Sequence, residues 1–262
     1  YADSGIGIAF TGNSHRIEYN KIFSATVGIE GYGSMTHYGS SVRHNFVSGP
    51  SKTAIDLKDG VSGATVYGNV IHNGVNLDGG RDITVENNIF FYDSAKVTNV
   101  SAIIYGSGIR DEVLYNNGLR EFSRDFLNLD YTSGVWRERY PELSEIVVPR
   151  SITSPDDPDM FYNPAGSSIK TNAIYISRDI KKVSLQFAGD TVNGIPYQQR
   201  YGEFRDNVIM PRDDFSDFSY LAIEDFTMSG GASLFTVLKD FKMIPFGNIG
   251  RTVSFIDVAE GN

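Results

Sequence analysis

The chain has 262 residues, a formal net charge of −9 at pH 7 and no cysteine. The acidic balance argues against binding to nucleic acid or anionic membranes, because both need a basic face, and the missing cysteine excludes disulfides and thiolate metal sites. No apolar run approaches the roughly 18 residues that span a bilayer, so no membrane span is expected.

Short strands are predicted over residues 1–117, where asparagine recurs at one position of a repeated pattern. The pattern is a strand, a Gly-rich corner, a second strand, and then asparagine before an apolar pair, at Asn20, Asn45, Asn69 and Asn88. A repeat of about 19 to 25 residues is typical of a parallel β-helix, whose coils bury their apolar faces by stacking. We expect the asparagines to hydrogen-bond along the stack; sugar binding by them is the alternative.

The pattern breaks after a fifth repeat predicted at 113–117. An insertion of helix and loop is predicted over residues 118–165. Its strongest helix candidate is 132–146, which Pro141 is expected to split into two short pieces.

The repeat then resumes, and further coils are predicted over residues 166–232. Residues 233–262 are predicted to form a C-terminal cap. The fold class is therefore all-β, a right-handed parallel β-helix of about seven coils in a single domain, residues 1–262. Because the first residues already read as a coil, we expect the domain to lack its N-terminal cap, and other chains of a larger assembly are candidate partners.

Several segments resemble right-handed parallel β-helix proteins of the pectate-lyase-like superfamily, in particular bacterial members that include glycoside hydrolases. The resemblance rests on rung motifs, on a Trp-x-x-x-Tyr-Pro-Glu-Leu helix and on an Ile-Pro-Phe tail, within residues 17–22, 55–63, 66–70, 79–90, 136–143 and 244–250. It implies a protein that acts on a polysaccharide or glycan in an extracellular, periplasmic or cell-surface location. Lys58 departs from the pattern, since relatives often carry two adjacent acids there.

A strip of polar residues is predicted on the outer face of the first sheet. Aligning the first strands without gaps gives one column of Ala9, Glu30, Lys58 and Asp78 beside a second column of Gly7, Gly28, Asp56 and Asn76. Glu30, Asp56 and Asp78 are the candidate catalytic carboxylates, at spacings that favour an inverting glycosidase. The alternative is a solvated charge ladder in which Glu30, Lys58 and Asp78 only pair across coils.

Substrate-binding candidates lie beside these carboxylates. Tyr32, His37 and Tyr38 belong to a loop rich in Gly and Tyr, and aromatic faces stack on sugar rings. Lys58, Asn76 and Arg81 complete the set. Arg81 has a structural alternative, an ion pair with Asp59 or Asp78.

The leading hypothesis is a glycoside hydrolase without a cofactor or a metal. A polysaccharide lyase is the rival chemistry, with Lys58, Arg81 or Arg110 as its cation and Ca²⁺ held by Asp56, Asp59 and Asp78 as an option. A non-catalytic glycan-binding or surface module is the further alternative, which the lysine at position 58 favours.

Overall fold

The protein is a right-handed parallel β-helix, seen here in a computed structural model that describes residues 5–49, 52–92, 99–176, 180, 182–211, 218–219, 227–229 and 232–250. Three parallel sheets of six strands each run along it, so the described residues form six coils. The first sheet contains β1 Ile6–Phe10, β4 Val27–Gly31, β7 Thr53–Leu57, β10 Val75–Asp78, β13 Asn99–Gly106 and β16 Lys182–Phe187.

Each coil continues into a second and then a third sheet. The second sheet contains β2 Arg16–Glu18, β5 Ser41–Arg43, β8 Thr65–Tyr67, β11 Thr84–Glu86, β14 Ser168–Lys170 and β19 Glu203–Arg205. The third contains β3 Lys21–Phe23, β6 Phe46–Ser48, β9 Val70–His72, β12 Ile89–Tyr92, β15 Ala173–Ile176 and β20 Val208–Pro211. The strands predicted around positions 169–174 and 204–209 are thus confirmed.

The remaining elements are short. Two antiparallel pairs consist of β17 Thr191–Val192 with β18 Ile195–Pro196 and β21 Phe218–Ser219 with β22 Thr227–Met228. The helices are α1 Gly108–Tyr115, α2 Leu119–Asn128, α3 Gly134–Arg139, α4 Tyr197–Tyr201 and α5 Leu234–Val237, with 3₁₀ turns at Pro141–Glu145 and Phe246–Asn248.

The turn between the second and third sheets has the same geometry in every coil. Its first residue has a left-handed backbone with φ between 52° and 63°, at Tyr19, His44, Gly68, Asn87, Thr171 and Asp206. The asparagine that follows donates its side-chain amide to the asparagine of the next coil, at Asn20, Asn45, Asn69, Asn88 and Asn172, and Asn207 is the last acceptor. This ladder confirms the predicted structural role. Four of its members are fully buried, so their amides bind neighbouring coils.

Apolar side chains of successive coils stack inside the solenoid. Ile29, Ile55, Val75 and Ile103 are register partners in the first sheet and belong to one core cluster. Phe10 fills the space beside Gly31, where a Cβ would lie 2.4 Å from the phenylalanine ring. The alternation of apolar and polar residues in these strands is therefore what turns Glu30 and its neighbours outward.

The insertion after β13 contains more helix than was predicted. The expected fifth repeat at 113–117 is wrong, because these residues lie at the end of α1 and in the turn that follows it. Their sequence resembles that of a coil strand. The buried residues of α1, however, include Ile109 and Val113, which are four positions apart and so lie on one face of a helix. The predicted split at Pro141 is confirmed, with α3 ending before it and a 3₁₀ turn beginning at it.

The C-terminal segment, residues 232–250 of the described chain, packs along one side of the solenoid. It covers the outer face of the third sheet, where Phe46, Phe91 and Tyr175 form a second apolar cluster with the segment. Asn87 exchanges two hydrogen bonds with the main chain of Lys242, at 2.9 and 2.6 Å. The segment therefore seals a sheet that would otherwise expose its apolar outer face.

Candidate functional site

The predicted register of the first sheet is confirmed for Ala9 with Glu30 and for Asp56 with Asn76, but it is wrong between β4 and β7. Glu30 is the register partner of Asp56, and Asp56 is the partner of Asn76. The prediction that Glu30 lies beside Lys58 in one column is wrong by two residues. A shift of two keeps every side chain on its own face of the sheet, so the hydrophobic pattern fits both registers equally well.

These residues form a connected group, which we call the acidic strip: Glu30, Asp56, Lys58, Asn76 and Asp78. The Lys58 ammonium lies 2.5 Å from Glu30 Oε2 and 3.7 Å from Asp56 Oδ2. Asn76 Nδ2 donates to Asp56 Oδ1 at 2.7 Å. The side chains of Glu30 and Asp56 are only 10% and 11% exposed, so the lysine compensates two poorly hydrated charges.

Asp78 differs from the other two acids of the strip. Burial raises the pKa of its carboxyl above the ordinary 3.8, and the negative charges of Asp59, Asp56 and Asp111 act in the same direction. A backbone hydrogen bond from Asp59 partly opposes this rise. Its carboxylate also lies against the first residue of α1, since a Cβ on Gly108 would come within 2.5 Å of Oδ1. The Asp78 carboxyl therefore retains its proton to higher pH than an ordinary aspartate does.

Asp111 is a neighbour of the strip that the sequence did not reveal. It lies in the first turn of α1, where Ser107 donates a hydrogen bond to its Oδ2 at 2.9 Å. Burial raises its pKa as well, and among the described residues its Oδ1 has no hydrogen-bond partner. The signal for it was the spacing Ser-x-x-x-Asp directly after a strand, which marks a helix start and was hidden by the expected repeat.

The three loop candidates are placed differently. Tyr32 is 42% exposed and lies one residue beyond β4. The His37 ring folds back over the loop, with Nδ1 at 3.0 Å from the Tyr32 carbonyl and 3.1 Å from the Gly12 amide nitrogen.

Tyr38 does not face solvent, which corrects its assignment as a sugar-stacking residue. It is 1% exposed, packs edge-on against Tyr140 and donates its hydroxyl to Asp82 at 2.9 Å. Burial, together with the charge of Asp82, raises the pKa of the Tyr38 hydroxyl far above its ordinary value. Its role in this fold is to join the loop to the insertion.

Arg81 is likewise buried and committed to structure. Its Nε donates to Asp82 at 2.9 Å, and its Nη1 donates to the main-chain oxygens of Pro158 and Met160 at 3.3 and 3.1 Å. The predicted structural alternative was an ion pair with Asp59 or Asp78, but the acid it pairs with is Asp82. The assignment of Arg81 to substrate is corrected on this geometry.

Arg110 is the most deeply buried arginine of the described chain, at 2% exposed. Its guanidinium pairs with Asp156 at 2.8 Å and Asp190 at 3.0 Å, and it lies 4.1 Å from the centre of the Tyr197 ring. A cation enclosed in this way holds the insertion together and has no free face for a uronate. Lys58 remains as the cation of the strip.

Among the residues that the structure describes, no group of three or more His, Asp or Glu side chains is arranged to hold a metal ion. No helix in that part of the chain is long and apolar enough to cross a membrane.

No protein-family model, curated protein or solved structure matches the chain. The fold is thus established by the strand pairing alone.

Proposed function

We propose that this protein acts on a polysaccharide or another glycan outside the cytoplasm, by glycoside hydrolysis on the acidic strip. The sequence resemblance to polysaccharide-active β-helix proteins supports the substrate class. The single observation that carries the chemistry is the contrast between Asp78, whose pKa burial raises, and Asp56, which Lys58 and Asn76 contact directly. Two carboxyl groups in different environments are what acid and base catalysis requires.

The spacing of this pair supports an inverting reaction. Asp78 is one coil and two residues away from Asp56, which corresponds to about 8 Å between Cα atoms. Inverting glycosidases hold their carboxyl groups about 6.5–9.5 Å apart, leaving room for a water molecule. The Cα atoms of Glu30 and Asp56, on adjacent strands, are only about 4.8 Å apart, and both carboxylates contact the same lysine. We therefore assign Asp56 and Asp78 as the catalytic pair.

The proposed step uses two proton transfers. Asp78, protonated, gives its proton to the glycosidic oxygen as the bond from that oxygen to the anomeric carbon breaks. Asp56, ionised, takes a proton from water, whose oxygen forms the new bond to the anomeric carbon from the opposite face. The products are an alcohol and a hemiacetal of inverted configuration, and a proton exchange with solvent restores both carboxyl groups.

The test is a panel of polysaccharides and oligosaccharides incubated with the protein, with reducing ends as the readout. We expect at least one glycan to be cleaved with inversion, seen by NMR of the fresh product. Asp78→Asn and Asp56→Asn should each lower the rate by about a hundredfold or more. Glu138→Gln, an exposed change on α3, is the matched control and should leave the rate unchanged. Unsaturated product ends would instead assign a lyase.

A non-catalytic glycan-binding module is the second candidate, and one contact favours it. Lys58 forms ion pairs with both Glu30 and Asp56. Carboxylates fixed in this way suit a binding surface better than a catalytic site in which they must exchange protons. On this proposal no glycan of the panel is cleaved, yet one binds, and Asp78→Asn binds it as tightly as the unaltered protein does. Cleavage that Asp78→Asn abolishes would exclude it.

A further inference from the structure

A large open groove lies on the insertion, between α2 and residues 148–152. Its volume is about 1250 Å³, and no residue of the acidic strip lines it. Pockets for small molecules usually have volumes of about 300–1,000 Å³. The groove therefore has the capacity for an extended segment of a larger ligand.

The charge of the groove is opposite to that of the chain. Arg120, Arg124 and Arg150 line it, against one acid, Glu121, whereas the whole chain carries −9. All three arginines are exposed, and within the described part of the chain none of them forms a salt bridge. Guanidinium groups bind carboxylates through paired hydrogen bonds, so three unpaired ones in one groove favour an occupant with several carboxylates.

The apolar part of the lining is aliphatic. Leu119 and Leu127 form a stripe about 12 Å long on α2, and Val148 and Ile152 face it from the other side. Leu127 is 65% exposed and Ile152 38% exposed. Among the described residues no aromatic side chain lines the groove, although sugars commonly stack on aromatic rings. Aliphatic contacts bordered by arginines match the leucine and glutamate side chains of a peptide better than a glycan.

A polar group beneath the stripe is also without a partner. Ser123 lies between the two leucines on α2, and its Oγ is buried with no hydrogen-bond partner among the described residues. Buried hydroxyls in folded proteins nearly always have a partner. Phe126 of the same helix packs in the core of the insertion, and Leu119 and Val148 pack partly against that core. Leu127 and Ile152 are the aliphatic side chains of the groove that are left exposed.

We propose that this groove binds an acidic, leucine-rich peptide segment of a partner protein. The aliphatic stripe receives the leucines, and the three arginines pair with the flanking carboxylates. The site is separate from the acidic strip and does not depend on the glycan proposal.

The experiment measures binding of a fluorescein-labelled peptide, Glu-Leu-Leu-Glu repeated three times, to the whole protein by fluorescence anisotropy. We expect saturable binding, with the Kd raised at least tenfold by Arg124→Glu and several-fold by Leu127→Ser. Arg137→Glu, an exposed arginine on α3 outside the groove, is the control and should change the Kd by less than twofold. A peptide with Lys in place of Glu should not bind, and circular dichroism should show that every variant is folded.

Three results would overturn the proposal. The first is no saturable binding of the acidic peptide. The second is an equal loss with Arg124→Glu and Arg137→Glu, which would make the attraction a general surface effect. The third is tighter binding of an oligouronate than of the peptide, lost in Arg124→Glu, which would make the groove a glycan site.

Discussion

Glu30 and Asp56 are direct register partners on adjacent strands of the first sheet, with the Lys58 ammonium in contact with both carboxylates. Like charges opposite each other in a sheet repel, and here neither side chain is more than 11% exposed. Lys58 follows directly after β7, two residues beyond Asp56, and its positive charge offsets this repulsion. Lys58 is thus a fixed part of the strip and explains how two buried acids can be neighbours.

Asp78→Asn should make the protein more stable at neutral pH and inactive at the same time. Burial raises the pKa of Asp78 in the folded state, so that state keeps the proton to higher pH than the unfolded chain does. As pH rises, the unfolded chain therefore releases the proton at lower pH than the folded state does. The ionisation of Asp78 lowers the free energy of unfolding, and this loss is complete above the pKa of Asp78 in the folded state. Asparagine keeps an acceptor for the Asp59 amide but carries no charge.

The measurement is urea unfolding of both proteins across a pH series. The stability advantage of Asp78→Asn should be largest at pH 7 and should vanish below pH 3.8, the ordinary value for an aspartate. Glu138→Gln, exposed on α3, should show no such trend. An advantage of equal size at every pH would mean that the effect comes from packing and not from ionisation.

The repeat could be inferred from sequence, but the register between β4 and β7 could not. An asparagine at the same corner of each coil identified the ladder. The corner requires a residue with a left-handed backbone followed by an asparagine whose amide bonds to the next coil, and a short stretch of sequence shows this pattern. The offset between Glu30 and Asp56 depends on loop lengths between coils, which no local pattern encodes. Asp111 was missed for the related reason that its helix begins where another coil was expected.

Tyr38→Phe should destabilise the protein and leave its affinity for any glycan unchanged. The hydroxyl it removes donates to the Asp82 carboxylate at 2.9 Å in a buried position, and a hydrogen bond to a charged group contributes about 1.5–3 kcal/mol. We expect a loss of about 1.5 kcal/mol in urea unfolding, since Arg81 still pairs with Asp82.

Tyr32→Ala is the matched change on the same loop. Tyr32 is 42% exposed, so its removal should change stability by less than about 0.5 kcal/mol. It should weaken binding of whichever glycan the protein recognises, measured by calorimetry. If Tyr38→Phe weakened glycan binding and Tyr32→Ala did not, the prediction that Tyr32 contacts the glycan and Tyr38 does not would be wrong.

Asn69→Ala should be among the most damaging single changes in the solenoid. The Asn69 amide accepts from the Asn45 backbone and side chain and donates to Val42 and Asn88, all at 2.8–3.0 Å. Alanine leaves several buried groups without partners, at a cost of about 3 kcal/mol. Asn207→Ala, at the half-exposed end of the ladder, should cost about 1 kcal/mol, because water replaces part of what is lost.

Equal losses of stability in Asn69→Ala and Asn207→Ala would contradict the prediction that the buried part of the ladder contributes more than its end. The comparison is made by thermal and urea unfolding at one pH, with circular dichroism as the signal. The expected order follows from burial, since Asn69 is fully buried and Asn207 is not.

Arg110→Met should loosen the insertion while leaving the coils intact. The guanidinium is 2% exposed and joins α1 to Asp156, within the insertion, and to Asp190, which follows β16. Removing one partner of a buried ion pair costs about 3–5 kcal/mol, and because Asp156 is 49% exposed we expect the low end, about 3 kcal/mol. Amide hydrogen exchange should accelerate in α1 and α2 but not in the strands of the second and third sheets. Arg139→Met, exposed on α3, should change neither stability nor exchange, and faster exchange throughout the solenoid in Arg110→Met would show that insertion and coils unfold as one unit.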